Sequence, residues 1–101
     1  MANNLFISYE LHPYRLGNHA LLESIQELGN WANVHGCLWY VQSTCSAKEV
    51  CECLRAVMNP GDSLMVIDAT NVDIAWQNVD NEVAQFITDH WSRYGRASGN
   101  P

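Results

Sequence analysis

The side chains with chemical capacity fall in a few places along the chain: Glu10 with His12 just after it, Asp62 beside Ser63, and His35 one glycine away from Cys37. Carboxylates near an imidazole can hold a metal ion or a water and move a proton, which is the equipment of phosphodiester hydrolysis. In that reading Glu10 and Asp62 are ligands to a metal or a water, His12 is a proton donor, and Ser63 is a neighbouring hydroxyl. A plainer reading stands beside it. Glu10 then ends an exposed strand, His12 opens a turn containing Pro13, and Asp62 and Ser63 are ordinary turn residues. No spacing motif distinguishes the two, so the answer lies in whether the fold brings the groups together.

The remaining candidates have simpler roles. The four cysteines, Cys37, Cys45, Cys51 and Cys53, lack the paired Cys-x-x-Cys form of structural zinc sites. His35, Cys37 and a distant cysteine could still share a zinc ion, but buried, reduced thiols are the expectation. His35 is a candidate functional residue or a hairpin packing residue. His19 and His90 fall near helix ends, where an imidazole can hydrogen-bond locally. Asp68, Asn71 and Asp73 suggest a calcium loop but lack the glycine and closing glutamate of an EF-hand, so a solvated loop is expected. Trp31, Trp39 and Trp76 could stack nucleic-acid bases, although core or dimer packing suits an acidic chain better.

The elements that must position these residues follow from local pattern. Residues 5–11 are apolar and aromatic up to His12-Pro13 and predict a first, central strand. Leu21, Leu22, Ile25 and Leu28 recur at helical spacing before Gly29-Asn30, which predicts the first helix. Two β-prone runs, 31–34 and 37–41, flank His35-Gly36 and predict a hairpin with a tight turn or a bulge. Ser46 and Glu49 have the spacing of a capping box, opening a helix whose apolar stripe is Val50, Cys53, Leu54, Val57 and Met58. Asn59-Pro60-Gly61 stops it, and residues 63–69 predict a fourth strand. Asp80 caps a last helix with the stripe Val83, Phe86, Ile87, His90 and Trp91.

Two βαβ halves of similar length predict an α+β, ferredoxin-like fold: an antiparallel βαββαβ sheet with helices on one face, plus a C-terminal helix. In such a sheet the fourth strand runs opposite to the first. Its beginning, Asp62-Ser63, should then lie near Glu10, and Asp68 at the far end. The other sheet face needs a cover. Trp31, Trp39, Tyr40 and Trp76 suit an isologous dimer through that face, and the last helix could cover it instead.

A length of 101 residues suits one domain, expected over 1–92 with a flexible tail over 93–101. Five basic residues against eleven acidic ones give a net charge of −6, which excludes extensive DNA-backbone binding by a single copy. Arg15, Arg93 and Arg96 could form a local basic patch. The pattern has no membrane-length apolar run and no leader segment, so a cytoplasmic protein without membrane partners is expected.

Three segments in order resemble the small CRISPR-associated endonuclease family, the ferredoxin-like subunit of the spacer-acquisition integrase, and the related virulence-associated protein D. They are Leu5-Phe6-Ile7-Ser8-Tyr9-Glu10, then Val34-His35-Gly36-Cys37-Leu38-Trp39-Tyr40-Val41, then the capped helix with residues 62–68. The chain is also similar to a SinR-like branch of that superfamily. The resemblance implies that the acid at the end of the first strand faces its symmetry mate across a homodimer, and that the pair can hold a divalent metal. Glu10 stands at that position, where the family has aspartate. After Asp68 the chain departs from the family's exchanged strand.

The resemblance therefore implies a nuclease-like homodimer, with magnesium or manganese as cofactor and RNA or DNA as substrate. The alternative expectation is a non-catalytic homodimeric adaptor that binds a protein partner in phage defence or toxin-antitoxin biology.

Overall fold

The computed structural model describes residues 2–11, 18–91 and 97–100, the last four as backbone. The elements are β1 (Asn3–Glu10), α1 (His19–Gln26), β2 (Asn30–His35), β3 (Leu38–Ser43), α2 (Ala47–Arg55), β4 (Ser63–Asp68), β5 (Ile74–Gln77), α3 (Asn81–His90) and β6 (Ala97–Asn100). The result is a mixed α+β structure built on a four-stranded antiparallel sheet of order β2-β3-β1-β4. Among the described residues no helix is long and apolar enough to cross a membrane.

β1 lies inside the sheet, so its side chains must satisfy two faces. Leu5 and Ile7 are completely buried on one, packed with Trp39 and Val41 of β3, Leu21 and Ile25 of α1, and Val50 and Leu54 of α2. Each such aliphatic side chain contributes about 1.5–3 kcal/mol through removal from water.

Local chemistry fixes where the two covering helices begin. The Asn18 side chain accepts a hydrogen bond from the Leu21 N–H at 3.1 Å and donates to the Val57 carbonyl at 2.8 Å. It therefore caps α1 and ties that start to the end of α2. Ser46 and Glu49 form the expected reciprocal capping box on α2.

The α2 stripe differs in one position from the sequence expectation. Val50 and Leu54 are buried, Cys51, Val57 and Met58 are half-buried, and Cys53 is exposed. The inward arc thus runs through Cys51, and the expected burial of all the cysteines is corrected. Cys37 is exposed as well, because Gly36 and Cys37 make the hairpin turn, with Gly36 at φ +47 and a register shift between Asn33 and His35. All four thiols are free.

The opposite face carries Asn4, Phe6 and Ser8 of β1 and Tyr40 of β3. Here α3 is the cover, held at its start by Asp80, whose carboxylate accepts from the Glu82 N–H at 2.9 Å. Tyr40 stacks on Trp91 with centroids 5.9 Å apart and meets Phe86 edge-on at 6.2 Å, while Phe6 lies 6.0 Å from Trp91. Gln42 donates to the His90 carbonyl at 3.0 Å. The aromatic surplus is largely accounted for within one copy: Trp39 belongs to the α1/α2 side with Trp31 against it, and Tyr40 is covered by α3. Trp39 and Tyr40 are buried within one copy, whereas Trp31 remains 41% exposed.

β5 and β6 form a separate parallel pair, Ile74 opposite Ala97 and Gln77 opposite Asn100. The sequence pattern has 71–78 as a segment without assigned structure and 93–101 as a tail; main-chain pairing joins parts of both. Residues 92–96 and 101 lie outside the described residues.

Two measurements test this packing. A Cβ added at Gly29 would stand 2.0 Å from the Gln42 carbonyl oxygen, a backbone atom that cannot rotate away. Gly29→Ala should therefore lower unfolding stability by about 3 kcal/mol or more in denaturant titration. A change below about 0.5 kcal/mol would contradict the close approach of the α1–β2 connection to β3.

Tyr40 is fully buried, donates to Asn4 Oδ1 at 3.0 Å, and has its phenol pushed up to about 12 by burial. The folded chain holds this proton more tightly than the unfolded one. The resulting stability is complete below about pH 10 and is lost as pH rises through about 12, a loss on the order of 2–3 kcal/mol. Tyr40→Phe should cost about 1 kcal/mol at neutral pH through the lost hydrogen bond, and should remove the highest phenolate step from an ultraviolet pH titration. Persistence of that step in the variant would show that another tyrosine carries it.

Candidate functional site at the paired ends of β1 and β4

Glu10 is the last residue of β1, and the antiparallel register sets it directly across from Ser63, the first residue of β4. The same register aligns Ser8 with Met65 and Phe6 with Ile67. Strand alternation therefore puts Glu10, Ser8, Ser63, Met65 and Ile67 on one face, the face that α3 covers farther along at Phe6 and Tyr40. Glu10 and Ser63 are exposed, and they line a shallow groove of about 260 Å³ with Ser8, Tyr9, Leu64 and Met65.

Asp62 is adjacent in sequence but serves a different surface. Its carboxylate accepts from the Asn59 N–H at 2.8 Å, and its own N–H donates to the Asn59 carbonyl at 3.0 Å. This closes the Asn59-Pro60-Gly61 turn. Asp62 lines a second cavity, of about 430 Å³, with Cys51, Arg55 and Met58 of the α2 segment. Half of the proposed acid pair is thus engaged in turn closure.

His12 lies outside the described residues. His35 ends β2, is exposed, and lines a third cavity together with residues of β5 and α3. Asp68 is at the far end of β4, paired with Leu5. Its carboxylate accepts from the Thr70 N–H at 2.9 Å and from the Thr70 hydroxyl. That is the turn chemistry of an Asx residue, and Asn71 follows in the left-handed region at φ 66.

Among the described residues no three His, Cys, Asp or Glu side chains gather into a group that could hold a metal ion. The two described basic residues, Lys48 and Arg55, both belong to α2, which packs on the opposite face. Burial raises the Tyr9 phenol above its usual range, so at neutral pH it is an uncharged neighbour to the groove.

Sequence reasoning did not single out Met65 and Ile67, which are 62% and 49% exposed on the outermost strand of the sheet. Their signal was the alternation within Leu64-Met65-Val66-Ile67, where Leu64 and Val66 pack on the core and the residues between them face outward. A run apolar at every position hides that alternation. Compared with known proteins, the chain matches no family model, no curated protein and no solved structure.

Proposed function

We propose that this chain is a cytoplasmic, nuclease-like homodimer of ferredoxin-like fold, in which Glu10 of two copies meets at a shared cleft and acts on RNA or DNA phosphodiesters. Support for the fold comes from the chain order β1-α1-β2-β3-α2-β4 combined with the spatial order β2-β3-β1-β4. The observation that carries the function is the surface around Glu10. An exposed carboxylate ends a central strand, stands across from a hydroxyl, and borders the uncovered apolar side chains Met65 and Ile67. A second copy seated on that apolar strip would shield it from water and bring a second Glu10 to the first.

Among the described residues Asp62 closes the Asn59 turn and lines a different cavity from Glu10. The reading therefore needs the carboxylates of both copies. Bound there, magnesium or manganese would neutralise charge on a phosphodiester. This chain's own contribution is positional: the β1–β4 ladder fixes the Glu10 main chain, and Ser63 offers a hydroxyl that can orient a water or a phosphate oxygen.

The alternative, a non-catalytic homodimeric adaptor that binds a protein, is favoured by the same apolar strip together with the charge of −6. Incubation with single-stranded RNA and single-stranded DNA, with magnesium or manganese added, separates the two. The nuclease reading expects cleavage by the natural chain and a loss of about a hundredfold or more in Glu10→Ala. Cleavage that survives Glu10→Ala, or no cleavage of either substrate, would overturn it. The second outcome, with a protein co-purifying stoichiometrically, supports the adaptor.

A further inference from the structure

β5 crosses the face of the sheet that α3 covers, and between them lies a cavity of about 330 Å³. Its walls include Phe6 of β1, Val34 of β2, Ile87 of α3 and Trp76 of β5, with the polar residues His35 and Asn78 also on the lining. All four residues of β5 border this space, Ile74 and Trp76 half-buried and Ala75 and Gln77 exposed. The volume falls in the range of about 300–1,000 Å³ typical of small-ligand sites, and the composition matches too: apolar and aromatic walls with a few polar groups. Glu10 and Ser63 line a different groove.

We infer that this cavity binds one uncharged planar heteroaromatic ring of nucleobase size, presented as a nucleoside. Two aromatic side chains give the ring flat or edge-on apolar contact, and a base stacked on an aromatic residue gains about 1–3 kcal/mol. His35 and Asn78 bring hydrogen-bonding groups of the kind that read a base edge. Charge argues for the neutral form of the ligand. The chain carries a net charge of −6, which weighs against an attached phosphate. The inference stands on the cavity and is independent of the phosphodiester reading.

Amide chemical-shift mapping of the full chain titrated with adenosine tests it. The expected result is saturable shifts at Val34, His35, Leu38 and residues 74–79, a weaker response to adenosine monophosphate, and retention of binding in Trp76→Phe. Trp76→Ala should weaken binding about tenfold or more, as loss of one stacking contact requires. Shifts confined to Glu10 and Ser63, no saturable shifts, tighter binding of the monophosphate, or a response to toluene but not to adenosine would each overturn the inference. The last would mark the space as a plain apolar void. The mapping of the natural chain decides the matter even where Trp76→Ala fails to fold.

Discussion

The whole arrangement depends on β1 being buried from both sides. A strand with a hydrogen-bonded neighbour on each edge and a covered surface above and below has every second side chain committed to one layer and the rest to another. Leu5 and Ile7 commit to α1 and α2; Phe6 commits to Trp91 and, with Tyr40, to the α3 side. A slip of one residue would exchange these sets and drive Asn4 and Ser8 into the aliphatic core. Asn4 reinforces the register from the strand's beginning: its N–H donates to Thr70 Oγ1 at 2.9 Å and its carbonyl accepts from the Ala69 N–H at 2.7 Å.

That constraint also defines the candidate site. With the register fixed, Glu10 has to end β1 opposite Ser63, and alternation has to place it on the same face as Met65 and Ile67. Cover by α3 reaches Phe6 and Tyr40 but leaves those two β4 side chains exposed. Function is therefore most economically sought where cover stops. A carboxylate there is accessible, sits on a rigid strand rather than a loop, and adjoins apolar surface that gains free energy from being covered.

Much of the architecture was legible because short-range rules agreed with one another. Ser46 and Glu49 announced α2, Asp80 announced α3, and Pro60-Gly61 separated α2 from β4. The antiparallel sense of β1 and β4 then sets Ser63 near Glu10 and Asp68 at the opposite end. What escaped were properties fixed by tertiary contact. The turn that engages the Asp62 carboxylate depends on how the chain leaves α2, which local pattern does not specify. The β5–β6 pairing joins segments about twenty residues apart with little β-propensity between them. Burial of Cys37 and Cys53 failed as an expectation for lack of about one residue of precision, in the hairpin turn and in the phase of α2.

The central claim is that the exposed carboxylate closing β1 belongs to a surface shared by two copies. Sedimentation equilibrium over a wide concentration range tests it most directly, against a chain mass of 11.4 kDa. The account predicts a particle of twice that mass, reverting to one copy when Met65 and Ile67 are both replaced by Lys. A strict monomer at the highest concentration, or a dimer indifferent to those replacements, would contradict it.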